Sequence, residues 1–165
     1  MPDERGQTPL FVAAENGHVA VVQEYIELFK QDKLTADHLL QTNYYGGTPI
    51  YAAARHGHVA VVQEYVELFK QEKLTANHLP QPDKFGWTLF AAASNGHVAV
   101  LQEYVKLFNQ GKLTADHLLQ PTIDGCTPPY IAGLRGQVAV VQEYVELFKQ
   151  EKLTADHLLK KTTNG

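Results

Sequence analysis

Apolar residues recur along this chain with the spacing of a helix that is covered on more than one side. Between Val19 and Lys30 one stripe runs through Val22, Ile26 and Phe29, and another through Val21, Tyr25 and Leu28 lies beside it. So wide an apolar surface calls for burial on two sides, as in a helix sandwiched between neighbours. Upstream, Thr8 offers an N-cap, Pro9 sits at the first helical position where its missing donor costs nothing, and Gly17 closes a helix of about two turns. Downstream, Thr35 reads as another N-cap with Asp37 in the first turn, and Ala36, Leu39 and Leu40 complete a short third helix. Lys30 and Lys33 suit the negative end of the second helix dipole. The stretch Gln41 to Gly47 is polar, aromatic and glycine-bearing, and reads as a turn into the next Thr-Pro step.

The pattern then repeats. Val59 to Ala76 recurs letter for letter as Val138 to Ala155, and Thr8, Thr48, Thr88 and Thr127 open four units with a period of 40 residues. A fixed period in the range of about 20 to 50 residues marks a solenoid or array, whose units bury their apolar faces only against one another. The expected fold is an all-α solenoid of four helical repeats, with two main helices and a short third helix in each. It forms a single domain over 1–165, with repeats at about 3–42, 43–82, 83–121 and 122–161. The outer units carry the same apolar stripe as the inner ones, where a terminal unit wants a polar outer face. Thr162-Thr163-Asn164-Gly165 also aligns with Asn43-Tyr44-Tyr45-Gly46. Both features suggest an excised part of a longer array, an engineered or naturally short array being the alternative.

Two units depart from the common text. In the third, Leu89 follows Thr88 where the others have Pro9, Pro49 and Pro128, and the period shortens to 39 residues. That deletion predicts a first helix starting about a residue late. In the fourth, Gly133 replaces a helix alanine and Pro129 follows Pro128, so this unit is expected to be the least stable.

The run Asp3-Glu4-Arg5-Gly6-Gln7-Thr8-Pro9-Leu10, followed by Ala13-Ala14, Asn16-Gly17-His18 and Val21-Val22, resembles the ankyrin repeat. Asn43 to Val62, Asp83 to Leu101 and Thr122 to Val141 follow the same order, so the resemblance covers essentially the whole chain. The histidine of the family's Thr-Pro-Leu-His step is an aromatic here (Phe11, Tyr51, Phe90, Tyr130), which puts the usual hydrogen bond in doubt and favours apolar packing. The unit is also longer than the usual ankyrin period of about 33 residues. The extra length follows Tyr25-Ile26 and implies a lengthened second helix and an added third element. HEAT or armadillo repeats, with periods of about 40 to 47 residues, fit the length better but lack the Thr-Pro, Ala-Ala and Gly-His steps.

Composition changes this picture little. With 165 residues, 44% hydrophobic, the chain has enough apolar material for a continuous core. A formal charge of -4 leaves no basic surplus to offset phosphate repulsion, which argues against nucleic acid as a partner. No apolar run approaches a membrane span, and the start MPDERGQTPL lacks the parts of a secretory signal. With a single cysteine, Cys126, the chain reads as intracellular and cytoplasmic.

Eight histidines invite a metal or catalytic reading. A metal needs three or four converging ligands, whereas one Asp-His or Asn-His step per repeat sets successive pairs about 10 Å apart, so helix-start hydrogen bonding and packing account for them better. No His-Glu-x-x-His, Gly-x-Ser-x-Gly or P-loop pattern is present, and Cys126 has no identifiable base. No enzyme, cofactor, metal or small-molecule substrate is expected.

The copies differ mainly in two places: the turn before each Thr and the end of each first helix. Tyr44 and Tyr45, Lys84, Phe85 and Trp87, and Ile123 and Asp124 vary in the turns. Arg55 and His56, Ser94 and Asn95, and Leu134 and Arg135 vary at the helix ends. The ankyrin resemblance implies that these positions line a concave groove that binds a protein or peptide. Aromatic and arginine residues are the types that anchor interfaces, with Tyr45, Phe85 and Trp87 as the central candidates. A structural spacer or scaffold segment of a larger repeat protein is the alternative. The near-literal copies also resemble large ankyrin proteins of intracellular bacteria and viruses, which implies host proteins as partners and host cytosol as an alternative location.

Overall fold

The computed structural model describes residues 2–75, 78, 86–122 and 124–159. Among them are eleven helices and no strand. Each unit opens with a short helix: α1 (Pro9–Glu15), α4 (Pro49–Arg55), α6 (Gly86–Ser94) and α9 (Pro128–Leu134). A longer helix of 12 residues follows in every unit: α2 (Val19–Lys30), α5 (Val59–Lys70), α7 (Val98–Asn109) and α10 (Val138–Lys149). The short third helix is α3 (Ala36–Leu39), α8 (Ala115–Leu118) and α11 (Ala155–Leu159), while its counterpart in the second unit falls largely outside the described residues.

The helix starts are as the sequence predicts, with one exception. Thr8, Thr48 and Thr127 hold extended backbone and accept from the N–H of Phe11, Tyr51 and Tyr130 at 3.1, 3.1 and 3.3 Å. In the third unit the first helix begins at Gly86, ahead of Thr88, and not late. The reason is the missing proline: a residue before proline is kept out of the helical region, so each Thr-Pro step halts the helix at Thr. Leu89 imposes no such stop, and Trp87 and Gly86 wind into the helix. The histidines of the third helices complete capping boxes, because the N–H of Thr35, Thr75, Thr114 and Thr154 donates to Nδ1 of His38, His78, His117 and His157 at 2.9 to 3.0 Å.

One feature of the helix ends escaped the sequence pattern. Each long helix stops at a residue of positive φ, which is Asp32 (58°), Glu72 (57°), Gly111 (73°) and Glu151 (59°) in the four units. Only the third unit has glycine there, the residue that adopts this conformation without steric cost.

The units stack so that α1, α4, α6 and α9 pack in one layer and α2, α5, α7 and α10 in a second, with α3, α8 and α11 against the long helices. Fully buried alanines such as Ala14, Ala53 and Ala92 let the short helices approach closely. One bond recurs at all three junctions between units. Nε2 of Gln23, Gln63 and Gln102 donates to Glu64, Glu103 and Glu143 of the following unit at 2.8, 3.1 and 2.8 Å. The hydroxyls of Tyr65 and Tyr144 donate back to the carbonyls of Leu39 and Leu118 at 3.0 and 2.8 Å. Burial raises the pKa of both tyrosines, because ionised phenol would lose its solvation there. Gly17 and Gly57, both at positive φ, lie under the rings of His58 and His97, where a Cβ would come within 2.6 Å of Nδ1.

Candidate functional site

The loops before α1, α4 and α9 are each closed by their own first residue, Asp3, Asn43 and Thr122. Asn43 Oδ1 accepts from the N–H of Tyr45 and Gly47 at 3.0 Å each, and Asn43 N donates to the Gly47 carbonyl at 3.0 Å. Asp3 makes the matching bonds to Arg5 and Gln7 at 2.9 and 2.8 Å, so the two fingers have one geometry. With the turn's backbone donors satisfied internally, Tyr44 and Tyr45 project outward, each 75% exposed. Tyr44 leans back over Gly6 of the first finger, and its N–H donates to the Arg5 carbonyl at 3.0 Å. Tyr45 instead borders a cleft.

That cleft, about 130 Å³, lies between the second finger, Trp87 at the start of α6, and the helices α1 and α4. Its lining combines Tyr45, Tyr51 and Trp87 with the polar Glu15, Arg55 and His56. His56 Nε2 lies 3.9 Å from Glu15 Oε1, and the His56 and His58 rings stack with centroids 6.2 Å apart. A second cleft of about 270 Å³ opens on the far side of Tyr51 and Trp87 and is lined also by Phe90, Thr122, Asp124 and Cys126. Tyr51 and Trp87 contact each other with ring centroids 6.2 Å apart, tilted at 54°, and form the ridge between the two clefts. Cys126 is a free, half-buried thiol whose N–H donates to Thr122 Oγ1 at 3.3 Å.

The expected groove residues therefore divide. Tyr45, Arg55, His56, Trp87 and Asp124 meet around these adjoining clefts. Ser94 is 9% exposed, and its carbonyl is occupied by Gln137 Nε2 at 3.0 Å. Asn95 Nδ2 donates to the Arg55 carbonyl at 3.0 Å, which commits this side chain to joining two units. Leu134, 70% exposed, and Arg135 lie at the end of α9, away from both clefts. Lys84, Phe85 and Ile123 fall outside the described residues. Sequence comparison among the copies passed over Tyr51 and Phe90 as lining groups. Their signal was the aromatic that replaces histidine in every unit, a shared feature read only as packing.

Among the described residues no group of three His, Cys, Asp or Glu side chains could hold a metal ion, and no helix is long and apolar enough to cross a membrane.

Stacked helical units with capped Thr-Pro starts and projecting fingers define a helical repeat solenoid. Residues 1–73 match the family model for ankyrin repeats (3 copies), which supports the ankyrin resemblance carried by the repeated Thr-Pro and Gly-His steps. Ankyrin repeats are generally protein–protein interaction modules, and the family is generally non-catalytic. No curated protein matches the chain.

Proposed function

We propose that this chain is a non-catalytic interaction module that binds a protein or peptide along the face formed by the fingers and the short helices. The observation that carries the reading is the pair of clefts meeting at the Tyr51–Trp87 ridge, with Tyr45 exposed at the rim. An apolar side chain of the partner fits either flank of this ridge, while Arg55, Glu15 and Asp124 supply charges of both signs for orientation. Aromatic residues at the centre of an interface carry a disproportionate share of binding energy. A spacer has no use for tyrosines held outward by an ordered turn, so the exposure of Tyr44 and Tyr45 favours binding over a purely structural role.

The test is capture of partners from a cell extract by the full chain, by a Tyr45→Ala, Trp87→Ala double variant, and by Gln71→Ala on the exposed outer layer. Loss of a specific partner with the double variant alone is expected, at a cost of about 2 kcal/mol or more per central anchor. Retention by the double variant together with loss by the outer-layer variant would move the site to the third-helix layer.

A further inference from the structure

The two clefts have walls of one kind. Phe11, Tyr45, Tyr51 and Trp87 line the first and Tyr51, Trp87 and Phe90 the second, while no valine, leucine, isoleucine or methionine lines either among the described residues. The Tyr51 and Trp87 rings, with centroids 6.2 Å apart and tilted at 54°, stand between the clefts as a ridge. A partner that lays one continuous helix face into a groove meets this ridge as an obstacle. A partner strand needs a sheet edge to extend, and no strand is present among the described residues. Flat rings on both flanks of a ridge suit proline rings instead, which polyproline II segments present to aromatic-lined grooves.

The same rings carry free donors. The hydroxyls of Tyr45 and Tyr51 and the indole N–H of Trp87 have no hydrogen-bond partner among the described residues. A polyproline II segment makes no internal hydrogen bonds, so its carbonyls can accept from these groups, whereas a helical segment has already used its own. The spacing agrees as well. Short helices of successive units pack in one layer, and packed helices lie about 8 to 10 Å apart. One turn of polyproline II, three residues, advances about 9 Å. Residues on one side of a strand recur about every 7 Å, and those on one face of a helix about every 5.4 Å. Prolines three residues apart therefore match clefts that belong to successive units.

We propose that the partner segment held here is a polyproline II stretch with prolines three residues apart, one in each cleft, and a basic residue beyond the second. Asp124 lines only the second cleft, is exposed and has no ion pair among the described residues, so it is placed to receive that cation. In the first cleft Glu15 is already within 3.9 Å of His56, and the charges there are mixed. This partner class rests on the binding reading above and narrows it from any protein or peptide to a proline-rich one.

Trp87 is the one tryptophan of the chain, so its emission reports on the ridge alone. The full chain is titrated with a synthetic peptide of repeated Pro-Ala-Ala-Pro steps ending in arginine, and with a twin in which every proline is alanine. A saturable change of emission is expected with the proline peptide, and binding about tenfold weaker with its twin. Tyr51→Phe keeps the ring, removes the donor and weakens binding about fivefold. Asp124→Lys weakens binding of the arginine peptide about threefold and leaves that of a peptide ending in alanine unchanged. Circular dichroism checks that both variants fold. The absence of a saturable change, equal binding of the two peptides, or full affinity in both folded variants overturns the proposal. If, after such a result, capture of a protein from extract still depends on Tyr45 and Trp87, the clefts bind another class of partner. If that capture fails too, the binding reading falls with the proposal.

Discussion

Val59 to Thr75 and Val138 to Thr154 are the same sequence in two places, and they form the same 12-residue helix ending at the same positive-φ glutamate. Most of their side chains are treated alike. Val61 and Val140 are both 0% exposed, as are Tyr65 and Tyr144, because these residues face the preceding unit and both copies have one. A minority on one face diverge. Val62 and Val66 are buried where Val141 and Val145 are half-buried, and Phe69 is 5% exposed where Phe148 is 41%. A helix is thus written in its own residues, whereas its share of the core is set by the unit that follows it.

The strongest test of this contrast is to remove the ring from each twin. Phe69→Ala is expected to cost about 3 to 4 kcal/mol of stability, within the range for emptying a buried phenylalanine, and Phe148→Ala about 1 to 2 kcal/mol, because much of its surface already meets water. Urea unfolding of both variants measures the difference. Hydrogen exchange on the parent gives the same comparison without substitution, with amides of Val59 to Phe69 exchanging more slowly than those of Val138 to Phe148. Gly133 lowers the stability of the fourth repeat, as glycine inside a helix does. Equal cost in the two variants would mean that the array unfolds as one body and the junctions count for little.

The twin tyrosines, unlike the twin phenylalanines, should behave identically. Each has a folded-state pKa raised by burial, so the native state keeps a proton that the unfolded chain releases near pH 10. Their stabilising contribution is therefore complete below about pH 10 and falls as pH rises above it, by about 1.4 kcal/mol per pH unit for each tyrosine. Tyr65→Phe and Tyr144→Phe should each remove one such contribution to the alkaline slope, and by the same amount. Unequal slopes would show that the end unit opens before its tyrosine ionises.

The smallest expected effect concerns the helix ends. Glu151→Gly relieves a positive-φ residue and is expected to stabilise by about 1 kcal/mol. Glu72→Gly should gain less, since Glu72 accepts from Lys112 Nζ of the next unit at 2.5 Å and this cation holds the carboxylate's pKa below its usual range. Thermal denaturation of the two variants side by side ranks them, and a larger gain for Glu72→Gly would show that the Lys112 bond contributes nothing.

Much of the candidate site was legible because the copies differ there. Tyr45, Arg55, His56 and Trp87 stood out as variable positions on a repeated background, and they border the first cleft. Tyr51 and Phe90 were passed over for the opposite reason: an aromatic present in every copy reads as scaffold, although the ridge and the second cleft depend on it. Ser94 and Asn95 vary too, yet one is buried and the other is bonded to the Arg55 carbonyl. Variation alone does not reveal which neighbour a side chain will meet.

By itself the sequence determined the four units, their helices, the threonine caps and the glycine turns, because these depend on backbone preferences and on residues a few positions apart. Tertiary structure alone decided that α6 starts at Gly86, that Tyr51 and Trp87 share a ridge, and that Phe69 is core while its twin Phe148 meets solvent. Burial and contact belong to two surfaces at once, and one letter of a repeat cannot say whether the second surface is there.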